Sequence, residues 1–239
     1  MIGVYDADER MSKQLTMRLR PSVPILNPKT LISRADLLIE AASPKAVSEM
    51  LPEIVRRRKS LMALSAGGLL QNAPLLRRAT RLRVPIYLPS GALGGLDAVK
   101  AARIGRLKSV TLTTRKSPEA LAGAPGIARK KINLSSLKKP RVIFSGSAAQ
   151  AVGDFPKNIN VAATLALAGL GATRTRVKII AEPGLQANVH EVTAVGSFGK
   201  LTVRTENKPS LENPKTSQLA VYSAVATLRQ ILEPLRIGT

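Results

Sequence analysis

The sequence predicts an α/β chain in two parts: a parallel sheet with crossover helices, followed by an α+β domain on a mixed or antiparallel sheet. Three observations carry this. Over residues 1–88, short apolar runs alternate with helix-patterned segments, the spacing of strand–helix–strand crossovers. From Val110 onward, β-branched stretches alternate apolar and polar residues, the period of a strand with one buried face. Between the two lies a Gly-rich turn at 89–95, which is the expected boundary.

Each element has a local reason. Residues 2–5 are an apolar run ending at Asp6, and 8–20 have helical composition. Residues 37–42 form a second run. A helix over 44–58 follows, with Ser43 as N-cap and Pro44 in the first turn. Its positions Ala46, Val47, Met50, Leu51, Ile54 and Val55 keep the spacing of one helix face. Residues 61–64 are a third run, followed by Gly67 and Gly68; 73–82 read as a helix and 84–88 as a fourth run. In the second half, 110–114, 141–144, 177–181, 189–195 and 200–204 read as strands. Residues 117–139 are rich in Pro, Gly, Ser and Lys and read as loop. Residues 160–169 form an Ala/Leu helix stopped by Gly169 and Gly171, and 217–232 a last helix capped by Thr216 or Ser217.

Composition bounds the function. Cysteine is absent and there is one histidine, which excludes disulfides, a cysteine nucleophile and thiolate or histidine-rich metal sites. No metal is expected. No apolar run reaches the roughly 18 residues of a membrane helix, the longest candidate being 161–172. The first six residues reach a carboxylate without the basic lead-in of a secretory signal. The expectation is a cytoplasmic protein with no membrane partner. Net charge is +22, from 37 basic and 15 acidic residues, and it is spread evenly, +12 to Ala120 and +10 beyond it. Such charge favours nucleic acid or anionic surfaces. With three Phe, three Tyr and no Trp, however, there is little to stack single-stranded bases on, and nucleic acid is not expected as the partner.

A dinucleotide-binding fold opens with a strand, a G-x-G-x-x-G turn and a helix, and its second strand ends in a ribose-binding acid. Residues 4–8 read as that second strand, with Asp6 as the acid; the alternative is an ordinary acidic turn. Five residues precede Asp6, too few for the fingerprint. Elsewhere it fails too: Gly169-Leu170-Gly171 is followed by Arg174 where the third Gly belongs. The expectation is a truncated Rossmann-type dinucleotide-binding domain, with residues 2–5 and 37–42 flanking an open slot. Dinucleotide would bind poorly to it unless about 20–25 upstream residues were added.

Four segments are dense in residues that packing alone does not require. Pro89-Ser90-Gly91-Ala92-Leu93-Gly94-Gly95-Leu96-Asp97 is either a turn that lets a ligand approach backbone N–H groups or a flexible linker. Phe155-Pro156-Lys157-Asn158-Ile159-Asn160-Val161-Ala162-Ala163 sets polar groups at a helix start, where Asn160 is either a ligand contact or an N-cap. The third, 182–192, puts the sole histidine, His190, in a strand beside Asn188 and Glu191, as either a catalytic or a structural residue. The fourth, 206–217, is a polar loop entering an apolar helix.

In this order the four segments resemble the L-aspartate dehydrogenase family, whose pattern runs P-S-G-A-x-G-G-L-D, F-P-x-N-x-N-V-A-A, N-x-H-E and N-P-x-T-S. Residues 40–43 and the Gly146-Ser147-Ala148 turn are similar to family elements as well. The chain departs from the pattern at its front, and at Glu182, where Asp is more usual. The resemblance implies a Rossmann domain over 1–90, an α+β catalytic and dimerisation domain over 91–215, and a C-terminal helix over 216–239 packing back on the first. It implies oxidation of L-aspartate with NAD or NADP to iminoaspartate, which hydrolyses to oxaloacetate and ammonia. That reaction feeds de novo NAD synthesis, with a functional link to quinolinate synthase, and the expected assembly is a homodimer.

Carried over, His190 is the catalytic residue, and Ala92 and Asn160 contact the cofactor; the residues themselves add Asp6 as a cofactor contact and Lys116, Lys157 and Lys215, in motif-bearing loops, as candidates to meet the substrate carboxylates. Hydride leaves Cα only when the amine is unprotonated, so a base near neutral pKa is wanted, and histidine has one. Asp6 favours NAD by repelling a 2′-phosphate; Arg10 nearby favours NADP; both stay open. Two other classes remain. A cofactor-free relic or partner-binding protein is favoured by the missing loop and opposed by the joint presence of Ser90-Gly91-Ala92, Asn160 and His190. A reductase of the dihydrodipicolinate or homoserine type would lack Asn188-Val189-His190-Glu191.

Overall fold

The computed structural model describes residues 1–155, 159–213, 216–235 and 237–238. The chain divides into two compact units between Leu88 and Pro89.

The first unit holds α1 (Glu9–Arg18), α2 (Pro28–Arg34), β1 (Leu37–Glu40), α3 (Pro44–Arg57), β2 (Ser60–Ala63), α4 (Ala66–Gln71), α5 (Ala73–Arg81) and β3 (Ile86–Tyr87). The three strands form a parallel sheet in the order β1–β2–β3, with Leu38 opposite Leu61 and Leu61 opposite Ile86. The helix α3 starts where its cap residues put it: Ser43 accepts from the Ala46 N–H and Pro44 occupies the first turn. Its stripe buries Val47, Leu51, Ile54 and Val55 against β2, α4 and α5, leaving Ala46 and Met50 at the rim. At the carboxyl end of β1, the buried Glu40 side chain accepts from the N–H groups of Ala42, Ser43 and Ser65 and from the Ser65 hydroxyl, at 2.8–3.1 Å. One carboxylate thereby ties together the two turns that follow β1 and β2.

Residues 2–5 form no strand. Val4 makes a single parallel bridge to Ile25 and joins neither sheet. Pairing cannot spread, because the partner segment carries Pro21, Pro24 and Pro28, which have no N–H to donate. In its sheet β1 is an edge strand, paired to β2. The helices α2 and α4 stand where the sequence reading has no helix; the first is capped by Asn27 with Pro28 behind it.

The second unit holds α6 (Leu96–Ile104), β4 (Leu107–Lys116), α7 (Pro118–Leu121), α8 (Pro125–Arg129), β5 (Arg141–Ser147), α9 (Ala148–Asp154), α10 (Ile159–Ala168), β6 (Thr175–Ala181), β7 (Asn188–Gly196), β8 (Gly199–Asn207) and α11 (Gln218–Leu232). Its sheet runs β5–β6–β4–β7–β8; β4 and β6 are parallel and the other pairs antiparallel. Residues 117–139 are therefore not all loop: α7 and α8 form there, each opened by a proline at its start. Ser147 opens α9 with a capping box shared with Gln150. Asn160 is the second residue of α10, inside the helix, so it is not the N-cap. Ser217, not Thr216, caps α11 by accepting from the Ala220 N–H. No helix among the described residues is long and apolar enough to cross a membrane.

Candidate active site

One face of the five-stranded sheet is covered by helices. A Cβ at Gly94 or Gly95 would meet Val203 of β8 at under 3 Å, and one at Gly169 would touch Val110 of β4 and Val99 of α6. Cross-strand rows on this face are apolar where the helices sit: Val110, Ala194 and Leu201 in one row, Leu112, Val192 and Val203 in the next. The following row changes chemistry. Thr114 of β4 stands opposite His190 of β7, which stands opposite Thr205 of β8. Beyond it, Asn188 faces Asn207, and Lys116 ends β4. A sheet face thus turns polar at one end, and there the sole histidine sits, 5% exposed.

The imidazole is held in place. Its Nδ1 lies 3.0 Å from Thr114 Oγ1. Burial, reinforced by the positive charge of Lys116, pushes the His190 pKa down to about 4, and burial also lowers that of Lys116. This corrects the expectation of a near-neutral base: in the free site the ring is neutral and a weak proton acceptor. Lys116 is moreover the last residue of a strand, not part of a loop.

A second network links the histidine strand to the Gly-rich turn. Thr205 Oγ1 donates to the Ala92 carbonyl at 2.9 Å and lies 3.3 Å from the His190 carbonyl. Asn207, 2% exposed, donates through Nδ2 to the Ala92 and Asn188 carbonyls and to Thr205 Oγ1. Ala92 is buried, so β8 side chains fix the turn against β7.

The structure brings His190, Lys116 and Ala92 together. Asn160 is exposed in the first turn of α10. Asp6 belongs to the first unit; its backbone N–H donates to the buried Ser12 hydroxyl and its carboxylate accepts from the Asp8 N–H. Lys157 and Lys215 lie outside the described residues. Sequence reasoning missed Thr114, Thr205 and Asn207. The signal was available: with period 2, the inward positions of β4 run Leu112, Thr114, Lys116 and those of β8 run Val203, Thr205, Asn207, polar where core strands are aliphatic.

A dinucleotide fits this chain on two observations. Gly91 adopts φ +65° with open space on the side where a Cβ would stand, so a ligand can approach its backbone closely. Beside it, the buried Oδ1 of Asn207 has no hydrogen-bond partner among the described residues and has room in its bonding for a donor. A parallel α/β unit followed by an α+β unit with a buried histidine on its sheet face fits a nicotinamide-dependent oxidoreductase. Residues 1–89 match the NAD binding domain of homoserine dehydrogenase, and 97–231 match the C-terminal domain of aspartate dehydrogenase. L-aspartate dehydrogenase of Methanocella arvoryzae is 44% identical over 99% of this chain and 89% of its own length. That of Nitrosopumilus maritimus is 39% identical over the same shares. The crystal structure of aspartate dehydrogenase from Thermotoga maritima superposes with a TM-score of 0.73 at 28% identity, covering 92% of this chain and 86% of that one. The chain belongs to the aspartate dehydrogenase family.

Proposed function

We infer that this protein is an NAD(P)-dependent L-aspartate dehydrogenase, converting L-aspartate to iminoaspartate, which water hydrolyses to oxaloacetate and ammonia. The observation that carries the reading is the neutral, buried His190 set beside Lys116 on one sheet face of a chain from this family. A bound nicotinamide cofactor would supply the hydride acceptor for the hydrogen on the substrate Cα. The chain's own groups do the rest. Lys116 is the cation that meets a substrate carboxylate; Lys157 and Lys215 remain candidates for the second. His190 takes the proton the amine must lose. Its pKa near 4 describes the free site. A dicarboxylate beside Lys116 adds negative charge where that lysine now opposes protonation, which raises the ring's proton affinity as substrate binds. Ala92, Gly91 and Asn160 are the proposed contacts to the nicotinamide half of the cofactor, and Asp6 to its ribose. A cytoplasmic homodimer that feeds de novo NAD synthesis, in functional link with quinolinate synthase, completes the proposal.

The test is a substrate panel. Reduction of NAD and NADP is followed with L-aspartate, L-asparagine, L-glutamate and L-homoserine. Turnover of L-aspartate well above the other three is expected. Turnover of homoserine in preference, or none with any amino acid while nucleotide binds, would overturn it.

A further inference from the structure

Among the described residues, two polar groups act on the ring of His190: the Thr114 hydroxyl at 3.0 Å from Nδ1, and the Lys116 ammonium, felt through its charge. A neutral imidazole carries one N–H, and a buried N–H requires an acceptor. Lys116, with three donors and no lone pair, cannot be that acceptor. A threonine hydroxyl has two lone pairs and can. Thr114 itself is buried at 3% exposure, and its β-branched side chain is stiff about χ1, so its oxygen is fixed where the ring needs it. It stands directly opposite His190 in the β4–β7 ladder, so backbone pairing sets the spacing of the two side chains.

We propose that Thr114 is a positioning residue that receives the Nδ1–H of His190 and thereby holds the ring in the tautomer whose distal nitrogen, Nε2, presents its lone pair to the substrate amine. The proposal rests on the reading of His190 as the proton acceptor. Without Thr114 the ring would lose the acceptor for its N–H and exchange between tautomers, and the other tautomer places the proton on the nitrogen that has to accept one. The work is thus divided: burial, reinforced by the charge of Lys116, keeps the ring neutral before substrate arrives, and Thr114 decides where its one proton sits.

His190 is the only histidine, so imidazole ¹⁵N spectra of the labelled protein contain one residue's signals. At neutral pH the wild type should show a protonated Nδ1 and a bare Nε2. Thr114→Val, of equal size, should give a tautomer mixture and lower kcat about tenfold, the kinetic weight of one neutral hydrogen bond, with KM for aspartate little changed. Thr114→Ser should restore both the spectrum and the rate. A wild-type ring protonated at Nε2 would overturn the proposal without any variant. So would a Thr114→Val protein with unchanged tautomer and rate. His190→Ala in the same assay separates the two layers: if it keeps full activity, the reading of His190 fails, whereas its loss of activity beside an undisturbed Thr114→Val removes only the role of Thr114.

Discussion

At the residue scale the energetics of His190 and its neighbours are open to direct measurement. The ring's pKa falls from 6.5 to about 4 on folding. Between those values the unfolded chain takes up a proton that the folded one refuses. Its neutral form therefore stabilises the fold fully above about pH 6.5, and that contribution is lost as pH falls toward 4, on the order of 3 kcal/mol in all. Denaturant titrations of wild type and His190→Gln should diverge in that window, with the variant's stability flatter. Lys116→Met removes the charge that opposes ring protonation, so the ring titration followed by NMR should move up from 4, while KM for aspartate rises about tenfold from the lost charge-assisted bond. Thr175 offers a control at the other end of β4's pairing: it is fully buried and its hydroxyl has no hydrogen-bond partner among the described residues. Thr175→Val should leave the melting midpoint unchanged or raise it, by about 1 kcal/mol of stability; a clear loss would mean that the hydroxyl is satisfied after all.

At the element scale, local signals and long-range ones part company. The helix α3 was legible because its cap, its proline and its apolar stripe agree, and α10 and α11 because Ala/Leu runs end at Gly or begin at Ser. The strands at 107–116 and 188–207 announced themselves by alternation. The helices α2, α4, α7, α8 and α9 escaped because each has seven residues or fewer, too short for a periodic stripe, and α6, of nine residues, was not read as a helix either. The polar row Thr114–His190–Thr205 could not be read at all from one segment, since it exists only through the register of three strands distant in sequence. His190, Ala92 and Lys116 were legible singly; that Thr205 and Asn207 bind the Ala92 turn to the histidine strand was not. The glycines of that turn differ in a testable way. Gly95 has φ +74° and its added Cβ would stand 2.8 Å from Val203, so Gly95→Ala should cost about 1–3 kcal/mol of stability. Gly91 has φ +65° but open space, so Gly91→Ala should cost only about 1 kcal/mol while weakening nucleotide binding. Melting midpoints and nucleotide titrations on the two variants distinguish a packing glycine from a ligand glycine.

At the scale of the whole molecule, the net charge of +22 acts on everything the chain does. Like charges repel in the compact state and salt screens them, so the melting midpoint should rise between low and physiological ionic strength. The same field draws in a dicarboxylate and an anionic nucleotide, and the KM for aspartate should rise with added salt. What joins these scales is one claim: a family of known chemistry, a parallel α/β unit, and a buried imidazole within reach of the charge of Lys116 together make an enzyme that oxidises aspartate. The measurement that tests it most directly is the rate of NAD(P)H appearance with L-aspartate for wild type and His190→Ala, with nucleotide affinity measured on the same samples. Loss of the proton acceptor should lower kcat by about 10²–10⁴-fold and leave nucleotide affinity within about twofold. An unchanged rate in His190→Ala, or a wild type that binds nucleotide and leaves aspartate untouched, would contradict the account.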